Sequence, residues 1–203
     1  MAVLNFFSRL TYENILSPMI LSRSSSNNVV LGIVNACMGI GGIIGGLLVS
    51  VKKESRKKAN VIYISAAISF LLGDLTMAIG RNVFFWSFAA FAASLPIPFI
   101  TAEQNVILYK KIPEKIQGRV FAVRNAVQYS TIPLGILLGG YLADYIFEPF
   151  MRSDTDIVSL LEILVGNGAG SGMAVMFLCT GVCGFAMSIL SLYSKKIQEL
   201  NNC

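Results

Sequence analysis

The chain has 203 residues, of which 55% are hydrophobic and only 13% are charged, and its formal net charge is +5. A soluble domain carries about a quarter charged residues, so this composition indicates a membrane protein. The basic residues stand in short runs between apolar segments, which argues against a nucleic-acid partner. The chain has no histidine, which excludes histidine-based triads, HExxH zinc sites and histidine proton relays. We therefore predict no enzyme, no cofactor and no metal site.

Six segments approach the roughly 20 mainly apolar residues that a membrane-spanning helix needs. The first, residues 2–21, is the weakest because it contains charged and amide side chains. Arg9 and Glu13 are four residues apart, so they share one helix face and can neutralise each other. Two interpretations stay open for this helix. It lines a polar cavity inside a bundle, or it lies in the membrane interface as an amphipathic segment.

The second segment, residues 29–51, is crowded with glycine. Gly41 with Gly45, and Gly42 with Gly46, have the GxxxG spacing that lets two helices approach closely. We predict a helix-packing role for all four glycines.

The third segment, residues 59–80, carries one acid, Asp74, well inside its length. A lone charge at the centre of a spanning helix costs about 3 kcal/mol, so Asp74 is expected to face the bundle or to be protonated. The fourth segment, residues 83–109, contains Pro96 and Pro98, which predict a break or bend. That break either shapes the packing only or serves as a gating hinge.

A basic connection, residues 110–119, separates the fourth segment from the fifth, residues 120–147. Residues 157–165 are apolar but too short to cross a bilayer, so they predict a short interfacial helix. The sixth segment is residues 173–193. The cysteines within the apolar runs are expected to be small buried hydrophobic residues: Cys37, Cys179 and Cys183.

The basic residues predict the orientation. Twelve fall on one side of the six segments: Lys52, Lys53, Arg56, Lys57, Lys58, Lys110, Lys111, Lys115, Arg119, Arg124, Lys195 and Lys196. Three fall on the other: Arg23, Arg81 and Arg152. Because basic loops stay in the cytoplasm, we predict that both termini are cytoplasmic.

One stretch carries a resemblance to a known family. The segment P-E-x-x-x-G-R-V-F comprises Pro113, Glu114, Gly118, Arg119, Val120 and Phe121. Together with the proline-bent fourth segment and Pro133-Leu134-Gly135, it resembles the C-terminal half of a major facilitator superfamily transporter. More narrowly, it is similar to the macrolide-efflux branch, a group of proton-coupled drug antiporters.

The resemblance implies an all-α, polytopic protein in the cell membrane, with residues 1–203 forming a single six-helix transmembrane domain. This domain would be half of a twelve-helix fold, and its expected partners are the lipid bilayer, a small amphipathic substrate and an N-terminal six-helix half. The alternative is a truncated or non-transporting membrane protein that assembles with another six-helix half.

The resemblance also implies roles for individual residues. Proton coupling needs a membrane-embedded acid, and Glu13 beside Arg9 is the first candidate, followed by Asp74 and Glu103. The expected gating or hinge positions are Pro96, Pro98, Gly118, Arg119 and Pro133. Gly135 and Gly139 join Gly41, Gly42, Gly45 and Gly46 as expected helix-packing positions.

Overall fold

The computed structural model describes residues 2–52, 57–153 and 155–194, and these ranges contain helices and no strand. We number the helices α1 to α7 in chain order. They are α1 (2–23), α2 (Asn28–Val51), α3 (Lys58–Ile79), α4 (Val83–Lys111), α5 (Glu114–Phe150), α6 (Asp156–Val165) and α7 (Ser171–Tyr193). Within the described residues, five of them are long and apolar enough to cross a membrane, namely α2, α3, α4, α5 and α7. The predicted all-α, polytopic architecture is confirmed.

Helix α1 is not among these five, but it lies inside the bundle. Its buried residues Ile15, Leu16, Met19 and Ile20 belong to the main hydrophobic core. The helix packs against α5, α7 and the start of α2. The structure thus favours the bundle interpretation of this segment over the interfacial one, and a sixth membrane crossing by α1 stays a prediction.

The expected connection at residues 110–119 is much shorter than predicted. Helix α4 continues to Lys111 and α5 begins at Glu114, so only two residues separate them. Pro113 is the residue before α5, where its missing N–H costs nothing. Gln117 Nε2 donates hydrogen bonds to the carbonyls of Ile112 (2.9 Å) and Tyr109 (3.3 Å) at the end of α4. This amide satisfies two backbone carbonyls at the end of α4. Residues 114–119 therefore form the start of helix α5 and not a loop, despite their charge.

Helix α4 is interrupted at its two prolines. The first part ends at Ser94, and the second part begins at Ile97 with Pro98 in its first turn. Proline has no N–H and its ring displaces the carbonyl one turn earlier, so the sequence breaks the helix where the prolines stand. Whether this break acts as a hinge stays a prediction.

Glycines set the close contact between α2 and α4. A Cβ atom added at Gly41 would lie 2.7 Å from the carbonyl oxygen of Phe91, and one at Gly45 would overlap the carbonyl of Leu95. At Gly42 and Gly46 nothing lies within 4 Å among the described residues. Helix α2 therefore packs through one of its two GxxxG pairs only, and contacts by the other pair stay a prediction.

Glycines also bring α5 against α1. A Cβ at Gly139 would lie 2.9 Å from the carbonyl oxygen of Leu10, and one at Gly135 would lie 3.3 Å from Cβ of Arg9. Asn14 Nδ2 of α1 donates a 2.8 Å hydrogen bond to the carbonyl of Ile136 between them. This contact fixes the face that α1 turns toward the interior.

Two arginines hold the short helix α6 at the end of the bundle opposite Lys52. Arg23 donates to the carbonyls of Val165 (2.6 Å) and Gly80 (3.2 Å). Arg81 donates to the carbonyl of Ile163 at 3.0 Å. Both arginines therefore bind the carbonyl end of α6, where the helix dipole favours a positive charge.

The expectation that the cysteines are buried is wrong for two of them. Cys179 and Cys183 are exposed and Cys37 is half-buried. An i, i+4 pair shares a face, and this face of α7 points away from the bundle.

Candidate binding cavity

A cavity of about 410 Å³ lies between α1, α3 and α4. Its volume is within the range of small-molecule sites, roughly 300 to 1,000 Å³. Its apolar lining includes Leu4, Met38, Ala66, Phe70, Ala93, Ile97 and Ile100. Its polar lining includes Asn5, Ser8, Arg9, Tyr12, Glu13, Ser69, Asp74, Ser94, Thr101, Gln104 and Gln128.

Helix α1 contributes the largest share of the charged and polar wall. Its lining residues recur every four positions, as Leu4, Ser8 and Tyr12 and as Asn5, Arg9 and Glu13. This spacing places them on one helix face. Residues Thr11–Ile15 form a π-helical turn, a feature that often occurs at functional sites. The polar residues that make α1 a poor lipid-facing span are therefore the ones that line the cavity.

Arg9 and Glu13 form an ion pair, with Nη1 of Arg9 donating to Oε1 of Glu13. Both side chains are accessible from the cavity, and the Glu13 side chain is 43% exposed. The arginine and the carboxylate cancel each other's charge at this point of the wall. The pair expected from the i, i+4 spacing is thus present.

Asp74 lies at another part of the cavity wall and is 1% exposed. It ends a π-helical turn of α3, Ser69–Asp74. Thr180 of α7 donates a 3.1 Å hydrogen bond to its Oδ2. Within the described residues, its carboxyl has no cationic partner.

The hydroxyl of Tyr12 faces the same turn of α3. A Cβ added at Gly73 would lie 3.0 Å from this hydroxyl. The hydroxyl is buried and interacts with the carboxyl of Asp74. Sequence analysis missed both Tyr12 and Thr180. In the sequence, each of them is visible only as a polar side chain within a helix. That pattern does not reveal which distant residue the side chain contacts.

Glu103 is not part of this cavity. It is buried at the α2–α4 contact, where its Oε1 lies 3.7 Å from Nζ of Lys52. The same ammonium group lies 5.3 Å from the ring centroid of Phe99. The structure therefore brings Glu13 and Asp74 to one cavity and leaves Glu103 in a separate contact near the basic end of the bundle.

The other expected gating positions lie on α5. Gly118 has nothing within 4 Å among the described residues, Arg119 is exposed, and Pro133 lies inside the helix. Arg124, which sequence analysis used only as a basic residue of the predicted inner side, donates to Asn105 Oδ1 (2.7 Å) and Gln104 Oε1 (2.9 Å) of α4. It joins α4 to α5 at the edge of the cavity.

Within residues 2–52, 57–153 and 155–194, no group of three acidic or cysteine side chains is placed to hold a metal ion.

The cavity offers what a binding site for an organic molecule needs, which is apolar walls with a few ionisable groups.

Comparisons with known proteins place the chain near drug efflux proteins. Macrolide efflux protein A of Streptococcus pyogenes is 28% identical to it over 138 residues, which are 66% of this chain and 33% of that protein. Multidrug efflux pump Tap of Mycolicibacterium fortuitum is 26% identical over 126 residues, which are 56% of this chain and 28% of that protein. The chain thus spans about a third of the length of these relatives. No family model and no solved structure matches it.

The fold and the cavity together define a class. This is a multi-pass helical membrane protein with an internal polar cavity, and its sequence is distantly similar to that of drug efflux transporters.

Proposed function

We propose that this chain is the C-terminal half of a major facilitator drug efflux transporter, which exports amphipathic compounds such as macrolides in exchange for protons. The observation that carries the proposal is the cavity between α1, α3 and α4, lined by ionisable and apolar side chains. The similarity to two named efflux proteins supports it.

The cavity walls suit an amphipathic substrate. Phe70 and Ile100 offer apolar contact surface, and the side-chain amides of Gln104 and Gln128 offer hydrogen bonds. Sites that combine apolar contact surface with placed polar groups bind small organic molecules.

Proton coupling would use a cavity carboxyl whose protonation changes with substrate occupancy. Glu13 is the first candidate because it lines the cavity and is paired there with Arg9. Asp74 is the second, and Glu103 is the weakest because it is outside the cavity.

The partner in this proposal is an N-terminal six-helix half that packs on α2 and α5. Large apolar side chains on these helices are exposed, with Ile43 66% and Leu137 71% accessible. Gly42 and Gly46 lie on the open side of α2. Transport would then follow a rocker-switch motion of the two halves about the cavity, with Pro96, Pro98, Gly118, Arg119 and Pro133 as hinge or gating positions.

The protein would lie in the cytoplasmic membrane with its basic ends inside. Lys52, Lys111 and Lys115 lie at the ends of helices that meet on one side of the bundle, whereas Arg23 and Arg81 lie on the other. Four basic residues of the predicted inner side, Lys53, Arg56, Lys195 and Lys196, lie outside the described residues.

A dye-efflux assay tests this function. Efflux-deficient bacteria would express the chain alone or together with the coding sequence directly upstream of it, and ethidium and macrolide accumulation would be measured with and without a protonophore. We expect protonophore-sensitive export from the longer product and its loss in Glu13→Gln. Unchanged export in Glu13→Gln would remove Glu13 from coupling, and no export from any product would contradict the proposed function.

A further inference from the structure

The short helix α6 has three different sides. Val158 and Val165 belong to the main hydrophobic core and fix one side on the bundle. A second side has exposed apolar residues at a spacing of three and four, namely Ile157, Leu160 and Leu164. A third side has polar residues at a spacing of three, namely Asp156, Ser159 and Glu162, and the exposed Ile163 lies between these two sides. A helix with separate apolar and polar sides is typical of segments that lie in a membrane surface.

The position of α6 places its apolar side next to lipid. The helix packs against α7 and the last turn of α3, and both of these are long and apolar enough to cross a membrane. Helix α3 ends there at Ile79, which is also exposed. Because apolar side chains are more stable away from water, we expect acyl chains of the adjacent lipid to cover the apolar side of α6.

Two guanidinium groups lie at the carboxyl end of the same helix. Arg23 and Arg81 bind its last carbonyls, and their charges are close enough to interact. The carboxyl end of a helix offers only about half a negative charge. Glu148 interacts with Arg23, but within the described residues no acidic side chain forms an ion pair with Arg81. The exposed guanidinium group of Arg81 therefore keeps a positive charge that an anion can neutralise.

Arg81 also has hydrogen-bond donors to offer. Its Nη2 atom donates to the carbonyl of Ile163 at 3.0 Å, and a guanidinium group has five N–H donors in total. The turn that holds it is well fixed, because the carbonyl of Gly80 accepts from Arg23 (3.2 Å) and from Nε1 of the buried Trp86 (2.9 Å). Guanidinium groups bind phosphate oxygens through paired hydrogen bonds, so a phosphate is the anion that suits this position.

We propose that Arg81 and the apolar side of α6 form a binding site for an anionic phospholipid. The phosphate of the lipid binds the Arg81 guanidinium group, and an acyl chain covers Leu160 and Leu164. A zwitterionic lipid fits less well, because its own ammonium group competes with the arginine for the phosphate. The site is separate from the proposed transport cavity. Only its leaflet depends on the proposed orientation, which makes it the outer one.

The single tryptophan of the chain reports on this site. Trp86 is bonded to Gly80, one residue before Arg81, and bromine atoms on a lipid quench tryptophan fluorescence only at short range. The purified chain would be placed in phosphatidylcholine nanodiscs, with brominated phosphatidylglycerol or brominated phosphatidylcholine replacing increasing fractions of the lipid. We expect brominated phosphatidylglycerol to reach half-maximal quenching at an about fivefold lower fraction, the effect of one arginine on an anionic lipid. High salt should weaken this preference.

Variants assign the preference to the two parts of the site. Arg81→Gln should abolish it, and Arg81→Lys, which keeps the charge, should retain it. Arg152→Gln removes another exposed arginine at the same end of the bundle and should leave it unchanged. Leu160→Gln combined with Leu164→Gln should weaken quenching by brominated phosphatidylglycerol, whereas Ser159→Gln on the polar side should not.

Equal quenching by the two brominated lipids in the unsubstituted chain would overturn the proposal without any variant. A preference that persists in Arg81→Gln would overturn it too. Unchanged quenching in the paired leucine variant would also overturn it, and that result does not depend on how Arg81→Gln folds. Loss of the preference on addition of glycerol phosphate, which has no acyl chain, would mean that the site binds a free phosphate and not a lipid.

Discussion

Thr180 and Asp74, separated by 106 positions in the sequence, meet at 3.1 Å through a hydrogen bond between α7 and α3. Thr180 Oγ1 also lies 3.0 Å from the carbonyl of Met176 on its own helix. Next to it, a Cβ on Gly181 would lie 2.9 Å from Leu75. This contact fixes the position of the unpaired carboxyl at the cavity wall.

Thr180→Val is expected to destabilise the fold by about 1 to 3 kcal/mol, because it leaves a buried carboxyl without its donor. Ser87→Ala is the control, since it removes a buried hydroxyl that has no hydrogen-bond partner in the described part of the chain. It should leave stability unchanged or slightly higher. Thermal unfolding of both variants in detergent measures the difference. A larger loss for Ser87→Ala than for Thr180→Val would contradict this description of the site.

The two glycine pairs of α2 make a second matched test. Gly45→Ala forces a Cβ onto the backbone carbonyl of Leu95, which cannot move as a flexible side chain would. We expect a loss of about 1 to 3 kcal/mol. Gly46→Ala, one position along, meets no atom of the described residues within 4 Å and should be neutral or stabilising by up to about 1 kcal/mol.

The measurement is the unfolding temperature of the purified 203-residue chain. Equal losses for the two substitutions would mean that α2 does not present this face to α4. In an assembly with an N-terminal half, a new loss in Gly46→Ala alone would identify the open face as the docking face.

Much of this fold follows from the sequence because the bilayer imposes simple rules. A run of about 20 apolar residues must be helical to satisfy its backbone, and the five long helices lie where those runs predict them. The inward position of Asp74 follows from the cost of exposing a charge to lipid. The Arg9–Glu13 pair follows from helical spacing alone.

The remaining features depend on contacts between distant parts of the chain. Hydropathy cannot show that the Gln117 side chain donates a hydrogen bond to a backbone carbonyl at the end of α4, so residues 114–119 were predicted to be a loop. It cannot choose between the two faces of α2, because both carry a GxxxG pair. The partner of Asp74 was also missed, since an isolated threonine in an apolar helix gives no sign of what it faces.

At the opposite end of the bundle, Arg23→Ala is expected to loosen α6. The substitution removes two hydrogen bonds to the carbonyls of Gly80 and Val165. Because charged donors contribute about 1.5 to 3 kcal/mol each, proteolysis between α5 and α7 should become faster. Arg152→Ala, which removes an exposed arginine from the same connection, is the control and should leave the rate unchanged. Equal rates for both would mean that Arg23 does not hold α6.

The break in α4 gives a kinetic prediction. Replacing Pro96 and Pro98 together by alanine restores two backbone donors and favours a continuous helix. In the proposed assembly with an N-terminal half, we expect export to slow more than expression falls, because the change affects the break and not the packed core. Pro149→Ala at the end of α5 is the control. Parallel losses of export and expression would assign the prolines a folding role only.

The central claim is a bundle that crosses the membrane with its basic ends in the cytoplasm, and cysteine accessibility tests it most directly. In a background free of the native cysteines, Lys115→Cys and Ser153→Cys place exposed thiols at opposite ends of α5. A membrane-impermeant maleimide should label Ser153→Cys in intact cells and Lys115→Cys only after permeabilisation. Labelling of Lys115→Cys from outside intact cells would contradict the account.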